Sequence, residues 1–380
     1  MRGISCFQTW LRRRKPLVFS TGSEDSPHGA LQAVSKQLHA ASPMLVSRQF
    51  GVIRTCLLID QGTWVVAEIS LDKKTPYFCQ RLPSGCLIER ISDDESKVTW
   101  VEHTEVAASL PDQTSAFAFG AERMAAWLQR YCERTSLMNA MYTHGLETQG
   151  TDKLMLMGFG EMMVRCLFRD ISPIERSNST LLWSVTGPED LKVHASLYEQ
   201  PFANFEVAGA VVAFGVKHSP EFVLQTLGDV SKHHEWDVLG GSKKLCMLTQ
   251  YSTGADPRNN ISASLIEGSS GEILIKEVDV NRSGSLVVWS SVSKKDFDLI
   301  SNGQAISEDS VLISGFSISG DGHTTGGSSI TLVLRMLVEG DQPLQEKRQR
   351  AIDLITDAVN QTVKRVKEAL DKQRPPSIMI

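Results

Sequence analysis

No apolar run in this chain reaches the length of a membrane-spanning helix, and its first residues lack the apolar core of a secretory signal. Both absences lead us to expect a soluble, intracellular protein. Cysteine pairing is missing too: Cys6, Cys56, Cys79, Cys86, Cys132, Cys166 and Cys246 are scattered, which suits free thiols in a reducing compartment. There is no excess of positive charge. A formal net charge of −5 argues against a surface built to neutralise phosphates, so direct DNA binding is not expected. The groupings that carry catalysis are also absent. His233 and His234 are adjacent, so their side chains diverge and make a poor metal pair, and no other cluster has zinc-ligand spacing. Neither a Gly-x-Ser-x-Gly turn nor a Walker-type loop occurs. The glycine-rich stretch 320–328 lies between two strand patterns, whereas a phosphate loop opens a helix. These residues imply no enzyme, no metal and no cofactor.

What is present is enough for two cores. The chain has 380 residues and a hydrophobic share of 41%, which excludes general disorder. The stretch 219–239, SPEFVLQTLGDVSKHHEWDVL, opens with Ser219 as a helix cap and Pro220 at the first helical position. Phe222, Val223, Thr226, Leu227 and Val230 follow on one helical face. Before it, 207–216 is short and valine-rich, which predicts a buried strand. After it, strands are predicted at 244–252, 261–267, 272–280, 286–292, 310–318 and 329–338, with hairpin turns at 268–271 and 281–284. A long helix over 342–371 closes the pattern, with Ile352, Ile355, Val359, Val363, Val366 and Leu370 on one stripe. Strand, short helix, antiparallel meander and closing helix together predict an α+β, helix-grip fold.

Several long motifs carry a family resemblance. HHEWDVLGGSKK (233–244), STGADPRNNIS (252–262), ISGFSISGDG (313–322) and the last helix resemble the region after the START domain in plant class IV homeodomain-leucine zipper proteins. Upstream, GALQAVSKQLHAASPMLVSRQFGVIRTC (29–56), GTWVVAEISLD (62–72), RLPSGCLIERISDDESKVTWVEHTEV (81–106) and FGAERMAAWLQRYCERTSLM (119–138) resemble the second half of that family's START domain, in order. No homeodomain, zipper heptads or opening START elements are found in the sequence. The resemblance implies two tandem helix-grip units, the first truncated, each with an antiparallel sheet packed on a long C-terminal helix. It further implies a lipid or sterol ligand, a nuclear location, a role in tuning transcription, and protein partners among homeodomain-leucine zipper factors. The alternative is a scaffold that associates with full-length relatives without binding lipid.

Four parts are expected along the chain. Residues 1–27 form an unmatched tail whose one feature, Arg12-Arg13-Arg14-Lys15, reads either as a nuclear import signal or as an exposed charge cluster. Residues 28–138 form the START half, closed by a helix over 116–134 with Phe117, Ala121, Met124, Leu128 and Tyr131 on its stripe. Residues 139–206 connect, through a helix at 152–168 and a polar loop, to the second unit at 207–380. An internal echo relates the halves: Leu82-Pro83-Ser84-Gly85-Cys86-Leu87-Ile88 resembles Leu312-Ile313-Ser314-Gly315-Phe316-Ser317-Ile318.

A helix-grip cavity takes its specificity from a few inward polar groups. In the hairpin 49–71, Arg54 and Glu68 fall on facing strands amid Val52, Cys56, Trp64 and Val66. Either they turn inward together, since a buried Arg needs a carboxylate partner, and meet a lipid headgroup beside Trp64, or both face solvent. Trp236 either walls a cavity mouth or covers the helix-to-strand junction; Asp237 either bonds a ligand hydroxyl or caps the turn. Glu277 is an inward candidate by strand alternation, with the opposite face equally open. The cavity itself is expected behind Trp236, in the complete second unit.

Overall fold

Alternation governs the N-terminal half. In the computed structural model, which describes residues 11–13, 17–20, 26–38, 41–43, 48–71, 79–106, 119–143, 148–171, 179–186, 192–199, 206–304, 306–308, 311–322, 326–338 and 344–372, its period-two segments become one antiparallel sheet. The strands are β1 (Leu11–Arg13), β2 (Leu17–Ser20), β3 (Ala30–Leu38), β4 (Arg48–Asp60), β5 (Thr63–Ser70), β7 (Ser84–Arg90) and β8 (Ser96–Val101). Their order is β1-β3-β4-β5-β7-β8, with β2 also on β3. Two short strands, β6 (Cys79–Arg81) and β9 (Thr104–Val106), pair with each other. Gly62 makes the β4–β5 turn possible, because its φ of 84° is one that side chains resist.

Every second residue of β3 and β4 faces the same way, so Val34, Leu38, Phe50 and Val52 converge on one face. Cys79, Phe119 and Met124 complete that core, the last from helix α1 (Ala121–Thr143). The helix expected at 116–134 thus begins later and runs farther, and Phe117 lies outside the described residues. The expected tail needs a larger correction. Leu11–Arg13 pairs with Lys36 to Leu38 and Leu17–Ser20 pairs with Leu31 to Ala33, because β3 offers both of them its open edge. Arg12 and Arg13 are therefore strand residues, while Arg14 and Lys15 lie outside the described residues.

The chain divides at Cys132/Glu133 into two compact units, Met1–Ala40 with Leu45–Cys132 and Ala41–Met44 with Glu133–Ile380. The second unit holds nine antiparallel strands in the order β10-β11-β12-β18-β17-β16-β15-β14-β13. They are β10 (Ser179–Thr186), β11 (Lys192–Glu199), β12 (Glu206–Val216), β13 (Leu245–Ser252), β14 (Asn260–Ile266), β15 (Ile273–Asn281), β16 (Gly284–Val292), β17 (Ser314–Gly320) and β18 (Ser328–Val338). Residues 139–206 are thus more than a helix and a loop: β10 and β11 extend the sheet from β12. The echo between the halves is structural. β7 and β17 both start at the Ser of Ser-Gly, and in each the glycine lies against a carbonyl of the preceding sheet neighbour, Val66 O for Gly85 and Val287 O for Gly315.

Both faces of this second sheet are covered. On one lie α3 (Pro220–Gly228), α4 (His233–Trp236) and the 29-residue α6 (Leu344–Lys372). Ser219 caps α3, its hydroxyl accepting the Phe222 N–H. Ala351, Ile355, Val359, Val363, Val366 and Leu370 of α6 pack on Ala210, Val212, Phe316, Leu332 and Leu334 of the sheet. Each fully buried aliphatic side chain in this core contributes about 1.5–3 kcal/mol. The other face is covered by α2 (Thr148–Ile171), which packs on β12, β14, β16 and β18. The short α5 (Lys294–Ser301) begins at a Ser-x-x-Asp cap, Ser293 accepting from Asp296 N at 3.1 Å.

At Gly160, α2 lies directly against β14 and β15. A methyl on Gly160 would fall on the Glu277 carboxylate and within 2.8 Å of Ile261 Cδ1. Gly160→Ala should therefore destabilise the second unit by about 1–3 kcal/mol in urea unfolding. A stability within about 0.5 kcal/mol of the parent would show that α2 is free to shift.

Candidate functional site

The first sheet brings Arg54 and Glu68 together as direct cross-strand partners on the face that carries Val34, Val52 and Phe50. Glu68 is buried, and Arg54 Nε donates to its Oε1 at 2.5 Å. Lys36, reaching across from β3, bonds both oxygens of the same carboxylate. Arg81, from β6, lies 3.1 Å away through Nη1 and donates its Nη2 to Glu102 at 2.5 Å. The pair turns inward, away from the solvent-facing alternative. Burial pushes the Glu68 carboxyl up, but Lys36, Arg54 and Arg81 together outweigh it and hold it at about 2. Burial also drives the Cys86 thiol up to about 11, so it stays protonated.

From this charged cluster an apolar strip runs along the same face. Cys56, Val66 and Cys86 are neighbours across β4, β5 and β7, followed by Leu58, Trp64 and Ile88. All but the exposed Leu58 are half-buried. Trp64 is four residues from Glu68, about 13 Å at roughly 3.3 Å per residue, so it lies at the far end of the strip from the ion pairs. Lys36, Arg81 and Glu102 escaped notice in the sequence. Lys36 had a signal, since it interrupts the apolar alternation Ala30, Val34, Leu38; Arg81 and Glu102 had none.

The second unit treats its candidates differently. Trp236 is fully buried and meets Trp289, Phe316 and His233 at ring-centroid distances of 5.1, 5.2 and 4.3 Å. These rings occupy the space behind Trp236 where a guest was expected. Asp237 accepts from Leu239 N, Gly240 N and His233 Nε2, at 3.2, 3.1 and 3.1 Å, holding the turn after α4. Both residues sit in the junction and capping positions. Lys276, unnoticed in the sequence, is buried with Nζ 5.4 Å from the Trp236 ring centroid and 2.7 Å from Leu227 O, at the end of α3. Glu277, the next residue, faces the opposite side of the sheet, where Arg134 of α1 pairs with it and donates to Met157 O at 2.7 Å. It does not join Trp236. Among the described residues, no three His, Cys, Asp or Glu side chains gather as metal ligands, and no helix is long and apolar enough to cross a membrane.

An antiparallel sheet with a long helix packed against it, seen in the first unit and again in the larger second one, is a START-type fold. Comparison with known sequences agrees. The START domain profile matches residues 18–134, ten residues earlier than expected, and the profile described as PDF2-like, C-terminal domain matches residues 149–372. The second profile covers more than half of the chain, which therefore belongs to the PDF2-like, C-terminal domain family, with a START domain before it. The chain is 30% identical over 383 residues to homeobox-leucine zipper protein HDG12 of Arabidopsis thaliana, covering 93% of this chain and 54% of that protein. To HDG11 of the same plant it is 28% identical, covering 93% and 53%. The chain thus spans about half the length of these relatives. Among solved structures it is similar to human StAR-related lipid transfer protein 5, with a TM-score of 0.34 and 8% identity over 57% of this chain and 97% of that one.

The buried His233 gives the second unit a pH signature. Burial, only partly offset by the bond to Asp237, pushes it down from 6.5 to about 4, so it is neutral when folded. The unfolded chain takes up a proton below about 6.5, so this residue's stabilisation is present above that pH and lost as pH falls toward 4. Stability should drop by roughly 2 kcal/mol from pH 7 to pH 5 through this group. Urea unfolding of the parent and of His233→Gln checks this; an equal pH slope in both would contradict it.

Proposed function

We propose that this chain is a lipid- or sterol-binding START-family protein that regulates transcription without catalysing a reaction. The observation that carries the reading is the inner face of the first sheet, where a charged cluster sits at one end of a half-buried apolar strip. A guest covering that strip gains roughly 25 cal/mol for each Å² of apolar surface removed from water. The ion pairs then fix the orientation of its head. Similarity to homeobox-leucine zipper proteins supports a nuclear location and partners among those factors. The low basic charge supports action through such partners, with no direct DNA contact by this chain.

One observation favours a scaffold that associates with full-length relatives and binds no lipid. The outer face of the same sheet exposes Leu31, Leu57, Ile69 and Val101. Native mass spectrometry of the purified chain separates the two. The lipid reading expects a co-purifying lipid, or capture of a labelled sterol, fatty acid or phospholipid at micromolar concentration. Co-precipitation of a full-length relative, with no lipid held under any of these conditions, would refute it in favour of the scaffold.

A further inference from the structure

The charges in the first unit's cluster do not balance. With Lys36 protonated, Lys36, Arg54 and Arg81 bring three positive charges to two carboxylates, Glu68 and Glu102, which leaves one positive charge over. The donors do not balance either. Arg54 spends Nε on Glu68, and its two Nη groups have no partner among the described residues, although the side chain is only 12% exposed. Arg81 Nε is fully buried and also without a partner there. The acceptors are already committed. Both oxygens of Glu68 are taken, and Glu102 accepts from Arg81, from Trp100 Nε1 at 3.4 Å and from Thr104 at 3.1 Å.

A buried cation without full compensation is costly, and a guanidinium fork with idle N–H groups matches the two oxygens of a carboxylate or phosphate. Burial pushes the Lys36 ammonium down to about 7, with Arg54 and Arg81 adding to that and Glu68 opposing it, so an added anionic group here would favour the charged form. The apolar strip from Cys56, Val66 and Cys86 to Trp64 and Ile88 adjoins the cluster on the same face.

Resting on the lipid-binding reading, we infer that the preferred guest is an anionic amphiphile. Its single oxyanion head completes the Lys36–Arg54–Arg81 cluster, and its apolar chain lies along the Val66–Trp64 strip. Neutral sterols and alcohols bind less well, because they leave the extra positive charge uncompensated.

The test compares oleate, oleyl alcohol and acetate on the intact chain by calorimetry or fluorescent-lipid displacement, with cholesterol in parallel. Oleate should bind at least about ten-fold more tightly than oleyl alcohol, the penalty of one lost charge-assisted bond. Acetate, the head without the chain, should bind far more weakly than oleate. In Arg54→Met the ratio of oleate to alcohol affinity should fall toward one. Equal affinities for oleate and the alcohol in the parent would overturn the inference and leave lipid binding intact, and this comparison decides even if the variant does not fold. Acetate as tight as oleate would overturn it in favour of a plain anion site. Failure of oleate, oleyl alcohol and cholesterol alike would overturn lipid binding itself.

Discussion

A carboxylate withdrawn from water is tolerable only where opposite charge is held at hydrogen-bond range, because its desolvation otherwise costs several kcal/mol. Glu68 meets that condition through three elements at once: Lys36 from β3, Arg54 from β4 and Arg81 from β6. Arg81 then carries the network on to Glu102, at the turn into β9. The main sheet and the two-stranded β6–β9 ribbon are therefore joined by charge as well as by packing. Moving any one of these strands would strand a buried ion, which makes the inner face a fixed surface with a polar end and an apolar length. That is the geometry an amphiphile requires.

The second unit resolves the same problem in a way that leaves less room. Lys276 and Glu277 are consecutive on β15, so their side chains leave the sheet on opposite faces, and both faces are buried. Each finds its partner within the fold, Lys276 at the carbonyls ending α3 and Glu277 at Arg134. Trp236, Trp289 and Phe316 fill the space between the sheet and α6. The larger unit buries these rings in its core, whereas the smaller first unit keeps a half-buried inner face.

Much of this was legible in the chain. The cap at Ser219, the six-strand meander and the long apolar stripe of α6 follow from local periodicity, and the structure places them within a few residues of the expected bounds. The hairpin β10–β11 was hidden because its Ser/Asn-rich approach reads as a loop, and pairing with β12 decides its conformation. Alternation identified Arg54 and Glu68 as facing residues but could not say which face was buried. That depends on what covers the sheet, which is a long-range fact. Arg81 and Glu102 arrive from separate short strands, so no spacing in the sequence announces them. For Glu277 the period of two left both faces open, and α2 settled the matter by covering the second one.

In the proposed reading, the guest lies on the inner face of the first sheet. A fatty acid carrying a photoactivatable diazirine, photolysed on the intact chain and mapped by peptide mass spectrometry, locates it directly. Adducts should fall on 48–70 and 84–90, the strands that carry Arg54, Cys56, Trp64, Val66 and Cys86. Adducts concentrated on 206–338, around Trp236 and β15, would contradict that placement.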